Sequence, residues 1–310
     1  TYANKINPEQ IRNRISDLLS SNGFYESMNN SITKAKYTKF IPGLKTNQNV
    51  ELLNPLSNDL NTMRQSLLFG ALENIAYNNN RQQLDIKFFE FGKTYHKVKG
   101  YYKEKQHLFL VSSGRKMNES WNRLNDKVDF FFIKEKVKHV LNSLGIVNTK
   151  SEPIILSELS QGLMYTFKKK SLVYFGRVNS KICKAFDVKS EVFIADFNWD
   201  LILELVGHNK THYKPLNKFP KVRRDLSLLI DKNISFAELK KIAISTDNNI
   251  LKSVNLFDVY EGNKLPKDKK SYALSFFMED ETKTLTDKYI DKVMGKLIKS
   301  FKDKVGAEIR

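Results

Sequence analysis

Few of the chemically suggestive residues in this chain have the spacing that catalysis needs. His208 and His212 are four apart, which on a helix could offer two imidazoles to one metal, but no third ligand lies nearby. Cys183 is far off in sequence. As the single cysteine it excludes an internal disulfide framework, fits a reducing compartment, and suits a buried apolar position better than a nucleophilic one. None of the 13 glycines forms a Gly-x-Gly pair, so neither a dinucleotide fingerprint nor a P-loop exists to cradle phosphates. There is no His-Glu-x-x-His, and Asp258 with Glu261 reads as a strand end followed by a turn acid.

Cations and aromatics carry what chemistry remains. The formal net charge is +18, a field that favours polyanions and nucleic acid above all, set against ordinary solvated lysine faces. Residues 207–310 hold 22 lysines and arginines against 14 acids, and the remainder 30 against 20, so charge singles out neither part. Lys218, Lys221, Arg223 and Arg224 gather at one strand start, Lys264, Lys267, Lys269 and Lys270 in a hairpin, and Arg310 at the end. Those that converge could hold phosphates. Tyr260, at a strand end, either stacks on an unpaired base or is a half-buried strand tyrosine. Arg224 and Asp225 are neighbours on a strand, so they point to opposite faces, and one must look to the open side or a helix end. Arg64 either pairs locally with Asp59 or Glu90 or reaches across a subunit interface.

The elements that must position these residues follow from periodicity. Asn7-Pro8-Glu9 starts a helix with the stripe Ile11, Ile15, Leu18 and Leu19, closed by Gly23. Val50–Leu53 is a strand ending at the turn Asn54-Pro55-Leu56-Ser57-Asn58-Asp59. Leu67, Ala71, Leu72, Ile75 and Ala76 line a helix that Asn78-Asn79-Asn80 ends, and Ile86–Gly92 is an aromatic strand with Gly92 as a bend or bulge. A short strand, Gln106–Ser113, precedes a helix introduced by Asp129-Phe130-Phe131-Phe132, whose Lys134, Lys136 and Lys138 read as a wet face. Runs at 164–168, 172–178 and 192–197 are strands, with Asn198 capping a helix Trp199–Leu205.

After a polar stretch at 207–216 the rhythm changes. A strand at 219–230, a helix opened by the capping box Ser235-Phe236-Ala237-Glu238, strands at 254–262 and 272–278, a helix opened by Thr284-Leu285-Thr286-Asp287, and a closing strand at 307–310 give βαββαβ. Ile290, Val293, Met294, Leu297, Ile298 and Phe301 draw the last helix's stripe. The expected fold class is α+β: an antiparallel sheet with helices, then a ferredoxin-like domain.

Three motifs in order, Asn54-Pro55-Leu56-Ser57, Met63-Arg64-Gln65-Ser66-Leu67-Leu68 and Phe89-Glu90-Phe91-Gly92-Lys93, resemble the class II synthetase-like domain of the bacterial phenylalanyl-tRNA synthetase beta subunit, as does Ile15–Glu26. Phe219-Pro220 with Arg224-Asp225, Leu256–Gly262, Lys270–Leu274, Thr284–Asp287 and Gly306–Arg310 resemble that family's ferredoxin-fold anticodon-binding domain. Two stretches depart from the family pattern, Leu159-Ser160-Gln161-Gly162-Leu163 and Gly176-Arg177-Val178-Asn179-Ser180, which leaves the role of a loop there open.

The resemblance implies a non-catalytic synthetase-like domain at 1–206, a linker at 207–216 and an anticodon-binding domain at 217–310. It implies a cytoplasmic heterotetramer of two alpha and two beta chains that charges tRNA-Phe, with ATP and Mg2+ on the alpha subunit, no cofactor or metal here, and an editing domain elsewhere. Arg64, Leu67, Phe89 and Phe91 are the candidate interface residues with alpha. Lys218, Lys221, Arg223, Arg224, Tyr260, Lys267, Lys269 and Arg310 are the candidate tRNA contacts. Thr1 suggests a piece of something longer; no signal peptide is visible, and no apolar run approaches the roughly 20 residues a membrane span needs. Phe88-Phe89-Glu90-Phe91 lacks the strand arginine of catalytic class II domains, and no glycine-rich strand follows, which makes a stand-alone ligase implausible. A stand-alone RRM-like RNA-binding protein shares the βαββαβ order, but Ser271–Phe277 lacks the leading basic-glycine pair of that motif.

Overall fold

The computed structural model describes residues 7–310 apart from 56, 58, 123, 148, 209–212, 214, 263 and 264. The expected readings at Leu56, Asn58, His212 and Lys264, and of the His208 side chain, fall outside the described residues. The chain divides into two compact units, Thr1–Thr211 and His212–Arg310.

The first unit runs α1 (Pro8–Ser21), β1 (Tyr25–Glu26), β2 (Ile32–Thr33), β3 (Val50–Glu51), β4 (Thr62–Met63), α2 (Leu68–Asn79), β5 (Ile86–Val98), β6 (Tyr101–Ser113), α3 (Phe130–Ser143), β7 (Lys150–Pro153), β8 (Leu159–Phe167), β9 (Lys170–Val178), α4 (Ser180–Ala185), β10 (Val192–Asn198) and α5 (Trp199–His208). Seven strands form one sheet in the order β1-β5-β6-β10-β9-β8-β7, antiparallel except for the edge pair β1 and β5. Strands β2, β4 and β3 make a small separate sheet.

Both faces of the large sheet are covered, and the sequence shows why. Ile15, Leu19, Ile133, Val137 and Leu141 from α1 and α3 pack with Phe89, Leu110 and Phe175 of the sheet. Leu68, Leu72 and Ile75 of α2 and Ile182 of α4 pack with Phe109, Val111 and Ile194 in a second cluster. Strand β10 is therefore buried at every position except Asn198, which explains an apolar run broken only by Asp196. Asn7 Oδ1 accepts from the Glu9 amide at 3.0 Å, and Asn198 Oδ1 from Leu201 at 3.2 Å, as their types predict for helix caps.

Four expectations change in the first unit. Gly92 is no bend: β5 runs through it in unbroken register with β6. A Cβ there would lie 2.4 Å from the Arg64 Nη2, so the glycine makes room for a guanidinium. The strand expected at Gln106–Ser113 is the inner half of a longer one, whose outer half has no buried face to leave an alternating pattern. Lys136 is not on a wet face: it is buried, its ammonium donating to Asn22 Oδ1 at 3.1 Å and lying over the Phe132 ring. Gln161-Gly162 is sheet, not loop. Gly162 of β8 pairs with Gly176 of β9 beside a bulge, and a Cβ on Gly176 would lie 1.9 Å from the Gln161 carbonyl oxygen.

The second unit runs β11 (Val222–Asp231), α6 (Phe236–Thr246), β12 (Leu251–Tyr260), β13 (Lys269–Met278), α7 (Asp287–Val305) and β14 (Glu308–Ile309). Its sheet order is β12-β13-β11-β14, every neighbouring pair antiparallel. Ser235 Oγ accepts from the Glu238 amide at 3.2 Å, as a capping box requires. The second expected box is absent: α7 is capped at Thr286 without a side-chain hydrogen bond, two residues later than Thr284 would have placed it. Leu274, Phe276 and Met278 of β13 meet Ile290, Leu297 and Phe301 of α7 in one core. Each such side chain, fully buried, stabilises the unit by about 1.5–3 kcal/mol.

Candidate nucleic-acid interface

Strand parity decides what the four-stranded sheet offers. Even-numbered residues of β13 enter the core with the helices, so Lys269, Ser271, Ala273, Ser275 and Phe277 look out from the other face. Register places Arg223 opposite Phe277 and Ser271 opposite both Leu229 and Tyr260. A bulge between Leu256 and Asp258 turns Phe257 outward, half exposed.

Two clusters result. At one end the Arg223 guanidinium lies 5.3 Å from the Phe257 ring centre and 5.9 Å from that of Phe277, with Lys221 Nζ 4.7 Å from Phe277. Arg223 also donates to both carboxylate oxygens of Asp225, at 2.8 and 3.0 Å. Those bonds hold the Asp225 carboxyl below its usual range and raise Arg223. At the other end the Arg310 guanidinium sits 5.2 Å from the Tyr260 ring centre, and Lys269 donates to Glu308, whose carboxyl it holds low. Six residues of strand separate the clusters, about 20 Å. Aromatic faces next to cations can stack bases and hold phosphates without reading sequence.

The other sequence-derived candidates scatter. Lys218 and Lys267 are exposed outside the strands. Arg224 belongs with the helices: its Nη2 donates to Asp287 at 2.7 Å, in the first turn of α7. Lys270 is buried against the Lys232 carbonyl at 2.8 Å. Phe257 and Phe277 were missed. For Phe277 the signal was there, since the small residues Ser271, Ala273 and Ser275 share its parity; for Phe257 only the bulge decides.

In the first unit Arg64 takes its local reading. Its Nη1 donates to Glu90 Oε1 at 2.6 Å with both side chains under a tenth exposed, and its Nε donates to the Lys93 carbonyl at 3.0 Å. Asn29 Nδ2 donates to the other Glu90 oxygen at 2.7 Å. Leu67 and Phe89, candidates for a subunit interface, are each 1% exposed and belong to this chain's own cores. A partner cannot reach them. Phe91 is partly buried, edge-on to Trp199 at 4.9 Å, beside a cleft of about 320 Å³.

Beneath that cleft lies a buried polar network that sequence spacing did not announce. His107 Nδ1 meets Asp196 Oδ1 at 2.6 Å, Tyr174 donates to Asp196 Oδ2 at 3.0 Å, and Thr94 Oγ1 is 2.9 Å from His107 Nε2. Burial pulls the His107 pKa down, but the charge and hydrogen bond of Asp196 outweigh it, and the net shift is upward. Burial and then Asp196 push the Tyr174 phenol well above its ordinary value. The network links four neighbouring strands, β5, β6, β10 and β9. On β10 every residue from Val192 to Phe197 is buried, on both faces, and the strand has no glycine to admit a nucleotide.

The large sheet with its helices defines a synthetase-like domain. It superposes on the pyrrolysyl-tRNA synthetase PylSc of Desulfitobacterium hafniense with a TM-score of 0.51 at 15% identity, over 64% of this chain and 68% of that one, a likeness of fold alone. Residues 2–199 match the phenylalanyl tRNA synthetase beta chain CLM domain, and residues 217–310 the ferredoxin-fold anticodon binding domain. The chain belongs to the phenylalanyl-tRNA synthetase beta chain family. It is 44% identical to the phenylalanine–tRNA ligase beta subunit of Bacteroides thetaiotaomicron over 97% of its length. Against those of Porphyromonas gingivalis and Clostridium acetobutylicum it is 36% and 33% identical, over 96% and 97%. It spans 38% of the length of each of these relatives. A stand-alone RRM-like protein is not favoured by matches that run through both units.

Proposed function

We propose that this chain works as the C-terminal part of the beta subunit of a phenylalanine–tRNA ligase. The first unit scaffolds a catalytic alpha chain, and the second binds the anticodon region of tRNA-Phe. The observation that carries this is the helix-free face of the four-stranded sheet, where Phe257, Phe277 and Tyr260 lie beside Arg223, Lys221 and Arg310 in a domain that matches an anticodon-binding family. Phenylalanine, ATP and Mg2+ belong to the alpha chain in this reading, in a cytoplasmic assembly of two alpha and two beta chains. Side chains fill β10 of the first unit on both faces, which supports a scaffolding role there.

Docking of alpha calls for exposed apolar anchors rather than Leu67 or Phe89. Met28 and Leu53 are 92% and 98% exposed, and a stable interface of this kind buries on the order of 1,600 Å² in total. The test mixes the chain with a purified alpha chain. The chain alone should give no phenylalanine-dependent ATP–pyrophosphate exchange, the mixture should co-elute, and a folded Met28→Glu/Leu53→Glu variant should not. Exchange by the repurified chain alone, or co-elution of that variant at full yield, contradicts the proposal.

A further inference from the structure

The hairpin of β5 and β6 leaves the body of its unit. From Lys97 to Gln106 every residue is exposed, although the strand register continues unbroken to Val98 opposite Tyr101. A two-residue turn with Lys99 at φ +49° and Gly100 at φ +85° closes it, the geometry that matches strand twist in tight hairpins. The outer half buries nothing that would hold the fold together. Its side chains answer to something else.

They carry one sign. Residues 93–105 include five lysines and a single acid, Glu104, and Lys93 takes up that carboxylate at 2.7 Å. Among the described residues, Lys97, Lys99, Lys103 and Lys105 form no ion pair. Register sets His96 opposite Lys103. Burial, then the charges of Lys105, His107 and Lys103, push its imidazole below the ordinary value. Tyr101 and Tyr102 stand among these cations 80% and 70% exposed. Directly opposed residues share a face, so Tyr101 lies with Val98 on one side of the ribbon and Tyr102 with Lys97 on the other.

Lysine is depleted at the centres of protein–protein interfaces. Unpaired cations beside exposed aromatic rings are instead what holds single-stranded nucleic acid. We propose that the β5–β6 ribbon is a second RNA-binding surface, its four unpaired lysines on phosphates and Tyr101 and Tyr102 stacked on unpaired bases. It belongs to the first unit and uses no residue of the four-stranded sheet.

The test titrates the full chain with a tRNA-Phe transcript over a range of salt. Beside wild type stand K97Q/K99Q/K103Q/K105Q, the milder tip variant K97Q/K99Q, Y101A/Y102A, and the sheet variant F257A/F277A. Urea midpoints check that each is folded. The lysine variants should flatten the slope of log K against log salt by about 0.7–0.9 per phosphate released. Y101A/Y102A should weaken binding roughly five-fold or more at unchanged slope. If only F257A/F277A loses affinity, the ribbon proposal is overturned and the anticodon reading stands; if no variant does, both fall. If the ribbon variants bind RNA normally but no longer co-elute with an alpha chain, the surface serves a protein and the proposal is overturned.

Discussion

Arg64 meets Glu90 at 2.6 Å in a buried space that exists because residue 92, two positions along β5 on the same face as the carboxylate, has no side chain. Pair, glycine and the Asn29 amide form one unit, and removing one partner of a buried pair leaves the other charge stranded, at about 3–5 kcal/mol. Arg64→Ala and Glu90→Ala should each lower the stability of the first unit by about that amount. Gly92→Ala, whose Cβ collides with the guanidinium, should come close to them. Urea midpoints measure all three; a loss below about 1 kcal/mol in either pair variant would show that the contact matters little.

The His107 shift gives a pH dependence of definite sign. Its folded pKa is raised, so the folded state binds more protons, and the stabilisation is complete below the ordinary histidine value and lost as pH rises through the raised one. Burial, Asp196, Lys105 and Asp200 together set that shift, with Thr94 and Tyr174 completing the network. Urea unfolding from pH 6 to 9 should show the first unit weakening, and His107→Gln should flatten the profile in that window. A profile that rises with pH contradicts the assignment.

Arg223 and Arg224 are adjacent but face opposite sides of their sheet. Arg223 lies over Phe257 on the open face, whereas Arg224 is bound to Asp287 at the start of α7. Arg223→Gln should weaken tRNA binding and flatten its salt slope by about 0.7–0.9. Arg224→Gln should leave RNA binding alone and cost under about 1 kcal/mol of stability, as exposed pairs do. Equal effects of the two on RNA binding would refute the division of faces.

Much of the fold was legible because it follows burial. The α7 stripe from Ile290 to Phe301 and the βαββαβ order are direct consequences of periodicity against one core, and the doubly buried β10 reads as an apolar run broken only by Asp196. What failed was decided by neighbours distant in sequence. Gly92 looked like a bend because nothing local says that Arg64 lies over it. Lys136 looked wet because only the folded chain brings Asn22 to its ammonium. Arg64 itself could not be placed until Glu90 was seen facing it, and Leu67 and Phe89 looked available to a partner only because their motif did not show which side was filled. The outer ribbon of β5 and β6 left no pattern, since a strand exposed on both faces has no alternation to show.

The most direct test of the central claim is a double comparison of the wild-type chain and F257A/F277A, each titrated with tRNA-Phe and with the same tRNA made abasic at the anticodon-loop positions, so that no base is left there to stack. If the open face of the four-stranded sheet holds the anticodon region, wild type loses affinity when the loop is changed, by about 1–3 kcal/mol per stacked base. The variant binds both RNAs equally, at that weaker level. Wild-type binding that is indifferent to the loop, or a variant that still tells the two RNAs apart as wild type does, would contradict the account.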